Sequence, residues 1–187
     1  IEIKDLSSSH VVGIITESKF KEIQKELNST EKTISYRESP CFMDTRLSTL
    51  GARILSNLEK LHLTIKKLDL KIIDKSYYLN LAHSQGVVIQ GIKNLQDSLF
   101  GLEANFEELN AIDFKKGCYV GQENTARMKL KNKLRRRLFP IISKNSVLIS
   151  DEIKFKEQIV GKVLIDGHYP FALIKLFEPD FRIFSKQ

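Results

Sequence analysis

The chain has 187 residues, 42% hydrophobic and 28% charged, with a net charge of +7. That is enough to bury one good core, or a medium and a small one, and it is too apolar for a disordered segment. No apolar run approaches the roughly 18 to 20 residues of a membrane-spanning helix, and two cysteines, Cys41 and Cys118, are too few for a disulfide framework.

The chain opens on Ile1 in place of an initiator methionine, and residues 1–6 already read as a strand. The expectation is a chain lacking an N-terminal segment, with unpaired strand edges and an incomplete ligand cleft. Residues 10–16 form a short apolar run fit for a buried strand, and residues 18–28 follow with Phe20, Ile23 and Leu27 at helical spacing. Ser18 is placed to cap that helix. Short strands are expected at 33–36, 41–44 and 52–55, with Pro40 and Gly51 as punctuation. Residues 61–73 alternate Leu and Lys and suit a strand or a helix face equally. Asp74 stands where it would cap a helix through Tyr77, Tyr78, Leu81 and Ala82, ended by Gly86.

Residues 87–100 hold no strong period and read as a traversing loop or short helix, and residues 106–109 as one helical turn. A helix is expected from Gly121 or Gln122 to about residue 131. After Lys133 the texture changes to short strands at 134–143, 147–150, 153–155, 158–166, 169–176 and 181–183, the signature of a small barrel or sandwich. The expected fold is α+β, with an α/β body at 1–132 followed by an antiparallel β-barrel at 133–187.

The chemistry concentrates in Lys115-Lys116-Gly117-Cys118-Tyr119-Val120-Gly121-Gln122-Glu123. Here a thiol sits between two glycines, beside two lysines and before a helix N-terminus, a setting that raises its thiolate fraction. Cys118 is therefore the candidate reactive or ligating group. Tyr119 stacks on a flat ligand or packs under the turn. Gln122 and Glu123 occupy the first helical turn, where Glu123 complements the helix dipole. Arg127 is spaced to pair with Glu123 or to present a guanidinium to a carboxylate. Cys41, beside Phe42 and Met43, reads as core. Asp44, Arg46 and Arg53 form either a buried charge cluster or ligand contacts. The histidines His10, His62, His83 and His168 lack metal-site spacing, so any iron–sulfur cluster would be held transiently or with a partner's thiols.

Charge is equally concentrated. Lys115, Lys116, Arg127, Lys129, Lys131, Lys133, Arg135, Arg136 and Arg137 stand against Glu123 alone, a local balance of +8 in a chain whose net charge is +7. Such a stripe is either a solvated face or a surface for an anionic partner: polyglutamyl tails, phosphates or nucleic acid.

The motif resembles the K-G-C-Y-x-G-Q-E signature of the YgfZ family, folate-binding proteins related in fold to the glycine-cleavage aminomethyltransferases. Asp44-Thr45-Arg46 and Leu50-Gly51-Ala52-Arg53 resemble that family's D-x-R and L-G-x-R segment, and Gly101-Leu102-Glu103-Ala104-Asn105-Phe106 its P-x-E-A-N-L segment. Gly101 departs from the family's usual proline, and Asn132-Lys133 replaces a glycine common after the motif helix. The resemblance implies an aminomethyltransferase-like body missing its N-terminal part. It also implies tetrahydrofolate or a derivative as cofactor, and an accessory role in iron–sulfur cluster assembly or repair that indirectly supports tRNA methylthiolation. It motivates Asp97 and Glu103 as carboxylates facing a pterin, with Lys116, Gly117, Tyr119, Gly121, Gln122, Glu123 and Arg127 around the folate. Asp97 and Glu103 read equally well as loop and cap residues. Two alternatives stand beside this reading, a true tetrahydrofolate-dependent aminomethyltransferase and a nucleic-acid-binding module built on residues 129–137. Catalytic turnover is left open. The expected partners are folate and cluster-assembly or cluster-dependent proteins, with no membrane. The expected setting is the bacterial cytoplasm, with the mitochondrial matrix as the alternative.

Overall fold

The computed structural model describes residues 2–117, 120–130 and 134–177, and the chain divides into two compact units, Ile1–Asp74 and Lys75–Gln187. The body-to-barrel boundary expected at 132/133 lies outside the described residues.

In the first unit, residues 2–6 form no strand. The elements run Val11–Ile15 (β1), Glu17–Glu26 (α1), Thr33–Tyr36 (β2), Ser39–Met43 (β3), Ala52–Ser56 (β4) and Leu58–Lys67 (α2). The strands form one antiparallel sheet in the order β1-β4-β3-β2. Alternation along each strand puts Ile34, Tyr36, Cys41, Ala52 and Ile54 on one face, where Phe20 and Ile23 of α1 cover them. Burying each large apolar side chain there contributes about 1.5–3 kcal/mol.

Thr16, not Ser18, caps α1: its Oγ1 accepts from the Lys19 N–H at 3.3 Å. The strand runs to Ile15, so the helix starts two residues earlier than its apolar period suggests. The ambiguous stretch resolves as helix because Asn57 Oδ1 accepts from the Lys60 N–H at 2.8 Å and starts α2. Leu61, Thr64, Ile65 and Leu68 then fall on its inner face.

One glycine in this unit is required. Gly51 has φ +76°, and a Cβ there would lie 2.1 Å from the Ile15 carbonyl oxygen. Its own carbonyl accepts from the Asp44 N–H at 2.9 Å.

The second unit runs Lys75–Ser84 (α3), a 3-10 turn at Ile92–Leu95, consecutive turns over residues 101–110, and Gln122–Leu130 (α4). It ends on Arg136–Pro140 (β5), Glu152–Phe155 (β6), Gln158–Ile165 (β7) and Phe171–Lys175 (β8). The strands form an antiparallel sheet in the order β5-β8-β7-β6, and among the described residues β5 and β6 do not pair. Leu138, Leu164, Ile165, Phe171 and Leu173 make its core, against which Val88, Leu95 and Leu99 pack. His83 joins α3 to this sheet, with Nε2 2.9 Å from the Pro170 carbonyl oxygen and its ring edge-on to Phe171.

The strand expected at 147–150 is a turn instead. Asp151 Oδ2 accepts from the Leu148 N–H at 2.8 Å, and the Asp151 N–H donates to the Leu148 carbonyl, so the side chain captures the backbone that a ladder would use. The strand expected at 181–183 lies outside the described residues.

Candidate functional site

The site is built where the turns of residues 101–114 meet α4 and β5, all within the second unit. Glu103 is its best-fixed residue, only 4% exposed. Its Oε1 accepts from Arg136 Nε at 2.9 Å, and its Oε2 accepts from Arg136 Nη2 at 3.2 Å and from the Phe100 N–H at 3.0 Å. The backbone repeats the attachment: the Leu138 N–H donates to the Glu103 carbonyl at 2.8 Å, and Asn105 Nδ2 donates to the Leu138 carbonyl at 2.8 Å. A bidentate guanidinium–carboxylate pair backed by main-chain bonds fixes the turn on β5 in one geometry.

Two more glutamates extend this arrangement. Glu107 pairs with Lys129 of α4, and Glu108 Oε1 lies 2.6 Å from Arg137 Nη2. Lys129 Nζ also stands 5.3 Å from the Phe114 ring centroid. Three of the nine cations of the stripe, Lys129, Arg136 and Arg137, are thus paired with glutamates that precede them in the chain. Sequence reasoning missed Glu107, Glu108 and Asn105. The available signal was an acidic cluster directly ahead of a basic one, a pattern that favours internal pairing over a free basic face.

Cys118 and Tyr119 lie outside the described residues. Their flanks are described. Gly117 and Gly121 are both exposed, with nothing within 4 Å of where a Cβ would stand, and Gly121 has φ +88°. The turn therefore requires a glycine at 121 and leaves open space at both glycines, as a group approaching the backbone would need. Lys116, Val120, Glu123 and Arg127 are exposed and Gln122 is half-buried. The expected Glu123–Arg127 pair is not among the ion pairs of the described residues. Asp97 sits exposed at φ +56° after the 3-10 turn, and no hydrogen bond or ion pair of the described residues joins it to the motif.

These observations bear on the folate reading. The glycine-flanked turn fits close approach of a flat group. Both oxygens of Glu103 are taken, so a pterin would have to displace Arg136 or the Phe100 N–H, and the residue fits a brace between the turns of 101–110 and β5. Asn105 Oδ1 and Arg137 Nε are buried without a protein partner, two polar atoms where the turns of 101–110 meet β5 that water or a ligand group would satisfy. Among the described residues no three His, Cys, Asp or Glu are grouped to hold a metal ion. A solvent-open hollow of about 720 Å³ lies elsewhere, lined by Ile141, Ile142, Val147, Asp151 and Ile153, and contains none of these residues.

The first unit holds a second charged cluster. The Asp44 carboxylate is buried and accepts from Arg46 Nε and Nη2 at 3.1 and 2.9 Å, from the Arg46 N–H at 3.0 Å, and from Arg53 Nη2 at 2.8 Å. Burial pushes its pKa up, but the Arg46 hydrogen bonds and the charges of Arg46 and Arg53 outweigh that and hold it below the usual carboxylate range. The carboxylate is buried while the Arg46 and Arg53 side chains are 27% and 28% exposed, and the cluster joins the ends of β3 and β4. Cys41 is fully buried, and burial pushes its thiol up to about 11, so it is core and not chemistry.

The chain is similar to proteins named iron–sulfur cluster assembly factor IBA57 homolog, mitochondrial. It is 31% identical over 144 residues to the one from Dictyostelium discoideum, covering 76% of this chain and 35% of that protein. It is 31% identical over 127 residues to the one from Pyricularia oryzae, covering 68% and 32%. With the Homo sapiens factor it shares 43% identity over 58 residues, 30% of this chain and 16% of that one. The chain spans about a third of the length of the first two relatives. No protein-family model matches it.

Proposed function

We propose that this chain is the motif-bearing part of a folate-binding iron–sulfur cluster assembly factor of the YgfZ type. The observation that carries the reading is the 31% identity over 144 residues to a protein named a cluster assembly factor. The K-G-C-Y-x-G-Q-E motif, at residues 116–123, supports the finer assignment. Cys118 is the reactive or ligating thiol. The cluster is a transient cargo whose remaining ligands come from a partner. Tetrahydrofolate or a derivative rests against Lys116, Gly117, Tyr119, Gly121, Gln122, Glu123 and Arg127, with Asp97 at the margin and Glu103 bracing the turns of 101–110 on β5. Effects on tRNA methylthiolation follow indirectly, through enzymes that need the cluster. The relatives' names favour a mitochondrial setting over the bacterial cytoplasm. The nucleic-acid reading loses ground because Lys129, Arg136 and Arg137 are engaged by glutamates.

The test is complementation of cells lacking their native factor, reading the activity of a cluster-dependent methylthiolating enzyme. The chain joined to the rest of a relative should restore it, and Cys118→Ala should not. Full rescue by Cys118→Ala would sink the role of the thiol. Calorimetric titration with tetrahydrofolate checks the ligand, and absence of heat from a folded, rescuing protein would remove folate from the proposal.

A further inference from the structure

α4 buries none of its side chains fully, and Gln122, Thr125, Ala126 and Met128 are half-buried, so apolar packing holds it only in part. Lys129 of this helix pairs with Glu107 and lies 5.3 Å from the centre of the Phe114 ring. Phe114 is the residue from which the motif segment departs, and Lys129 stands in the helix to which it returns. The two ends of the stretch that carries Gly117, Val120 and Gly121 are therefore drawn together at a single point. At the entry, Asp113 Oδ1 accepts from the Lys115 N–H at 2.8 Å, which fixes the first step of the turn. Glu107 belongs to the turn segment locked on β5 through Glu103 and Asn105, so the point of closure is anchored to the sheet.

We infer that Glu107, Lys129 and Phe114 form a charged neck that positions the motif turn. The inference rests on the reading of Cys118 as the functional thiol only for its consequence, since the neck itself is defined by the three side chains. Both charged partners are well exposed, with side-chain exposures of 48% for Lys129 and 39% for Glu107. A pair so placed holds modestly and is screened by salt. The turn is thus held while its two sheets are not salt-dependent, a difference that experiment reads directly. Glu107 and Lys129 are positioning residues: neither needs to touch ligand or cargo.

The experiment uses the purified whole chain and two readouts. By hydrogen exchange, Lys129→Gln and Glu107→Gln each raise the exchange of amides 120–130 about two- to fivefold. The double variant adds nothing to Lys129→Gln, which also loses the Phe114 contact, and the exchanged pair Lys129→Glu with Glu107→Lys restores the share of the protection that the ion pair supplies. High salt brings the unaltered chain to the level of the single variants and leaves β4 and β8 amides unchanged. In the second readout, alkylation of Cys118 by iodoacetamide changes rate in both single variants and recovers in the exchanged pair, while buried Cys41 stays silent. Unchanged exchange in either single variant, additive effects in the double, or no recovery in the exchanged pair overturns the neck. Altered exchange with unaltered alkylation overturns positioning of the thiol. Neither readout measures cluster assembly, so failure here is distinct from failure of the Cys118→Ala complementation test.

Discussion

Asp44 is the residue whose surroundings make the sharpest demand. Its carboxylate is buried, yet it holds two guanidinium groups and a main-chain N–H. Removing the charge while keeping the shape, as Asp44→Asn, leaves Arg46 and Arg53 without their anion. The expected cost is about 2–3 kcal/mol, the range for hydrogen bonds to charged groups, read as a lower urea midpoint at neutral pH. The pH dependence has a definite sign. The folded pKa lies below that of the unfolded chain, about 3.9, so the contribution is complete above that value and is lost as pH falls through the depressed folded one. The Asn variant should show a flatter acid limb, and an unaltered limb would mean that the cluster contributes nothing. Cys118 stood out from sequence because glycines and lysines around a thiol serve no packing purpose. Glu103 stood out only by resemblance, since its partner Arg136 lies on another element and no local spacing announces the pair.

Elements were legible where one face is buried and the period is clean. The β2 pattern alternates exposed and buried and that of β4 buried and half-buried, and their expected bounds differ from the observed ones by at most a residue. The hairpins were less legible. β2 joins β3 through Arg37 and Glu38, at φ +51° and +61°, and β6 joins β7 through Lys156 and Glu157, at φ +47° and +65°. Both turns need two left-handed residues, the conformation that ordinarily selects Asn-Gly. Charged residues occupy them here, so the sequence hides the turn. β3 consequently begins at Ser39 and runs through Pro40, where the proline had suggested a stop. This predicts a gain: Arg37→Asn with Glu38→Gly, or Lys156→Asn with Glu157→Gly, should stabilise by about 0.5–2 kcal/mol by relieving backbone strain. Thermal unfolding measures it, and a lower melting temperature in both hairpins would refute the strain argument. The Lys60–Glu38 pair makes the first hairpin the harder test, because Glu38→Gly also removes an exposed ion pair.

At the scale of the whole molecule, each unit has its own four-stranded antiparallel sheet and its own apolar cluster. This division was not visible in the sequence, where the change of texture near residue 133 drew the boundary toward the β-rich end. Helix α3 and the turns of 101–114 look like a continuation of an α/β body, but their contacts are with the second sheet: His83 meets Pro170 and Phe171, and Glu103 meets Arg136. Long-range pairing of this kind leaves no periodic trace. The link between the units is Leu70 to Asp74, without helix or strand, and in it Ile72 and Ile73 are 77% and 62% exposed. An exposed link with few backbone hydrogen bonds is the preferred place for proteolytic nicking. Brief trypsin treatment should therefore cut first at Lys71, ahead of lysines held in helices or strands, giving fragments that end and begin there. If each cluster suffices as a core, the nicked protein keeps the circular dichroism of the intact chain, and urea resolves two transitions. Early cuts inside β1 to β4 or β5 to β8, or loss of both sheets on a single cut at Lys71, would show that the units do not stand on separate cores.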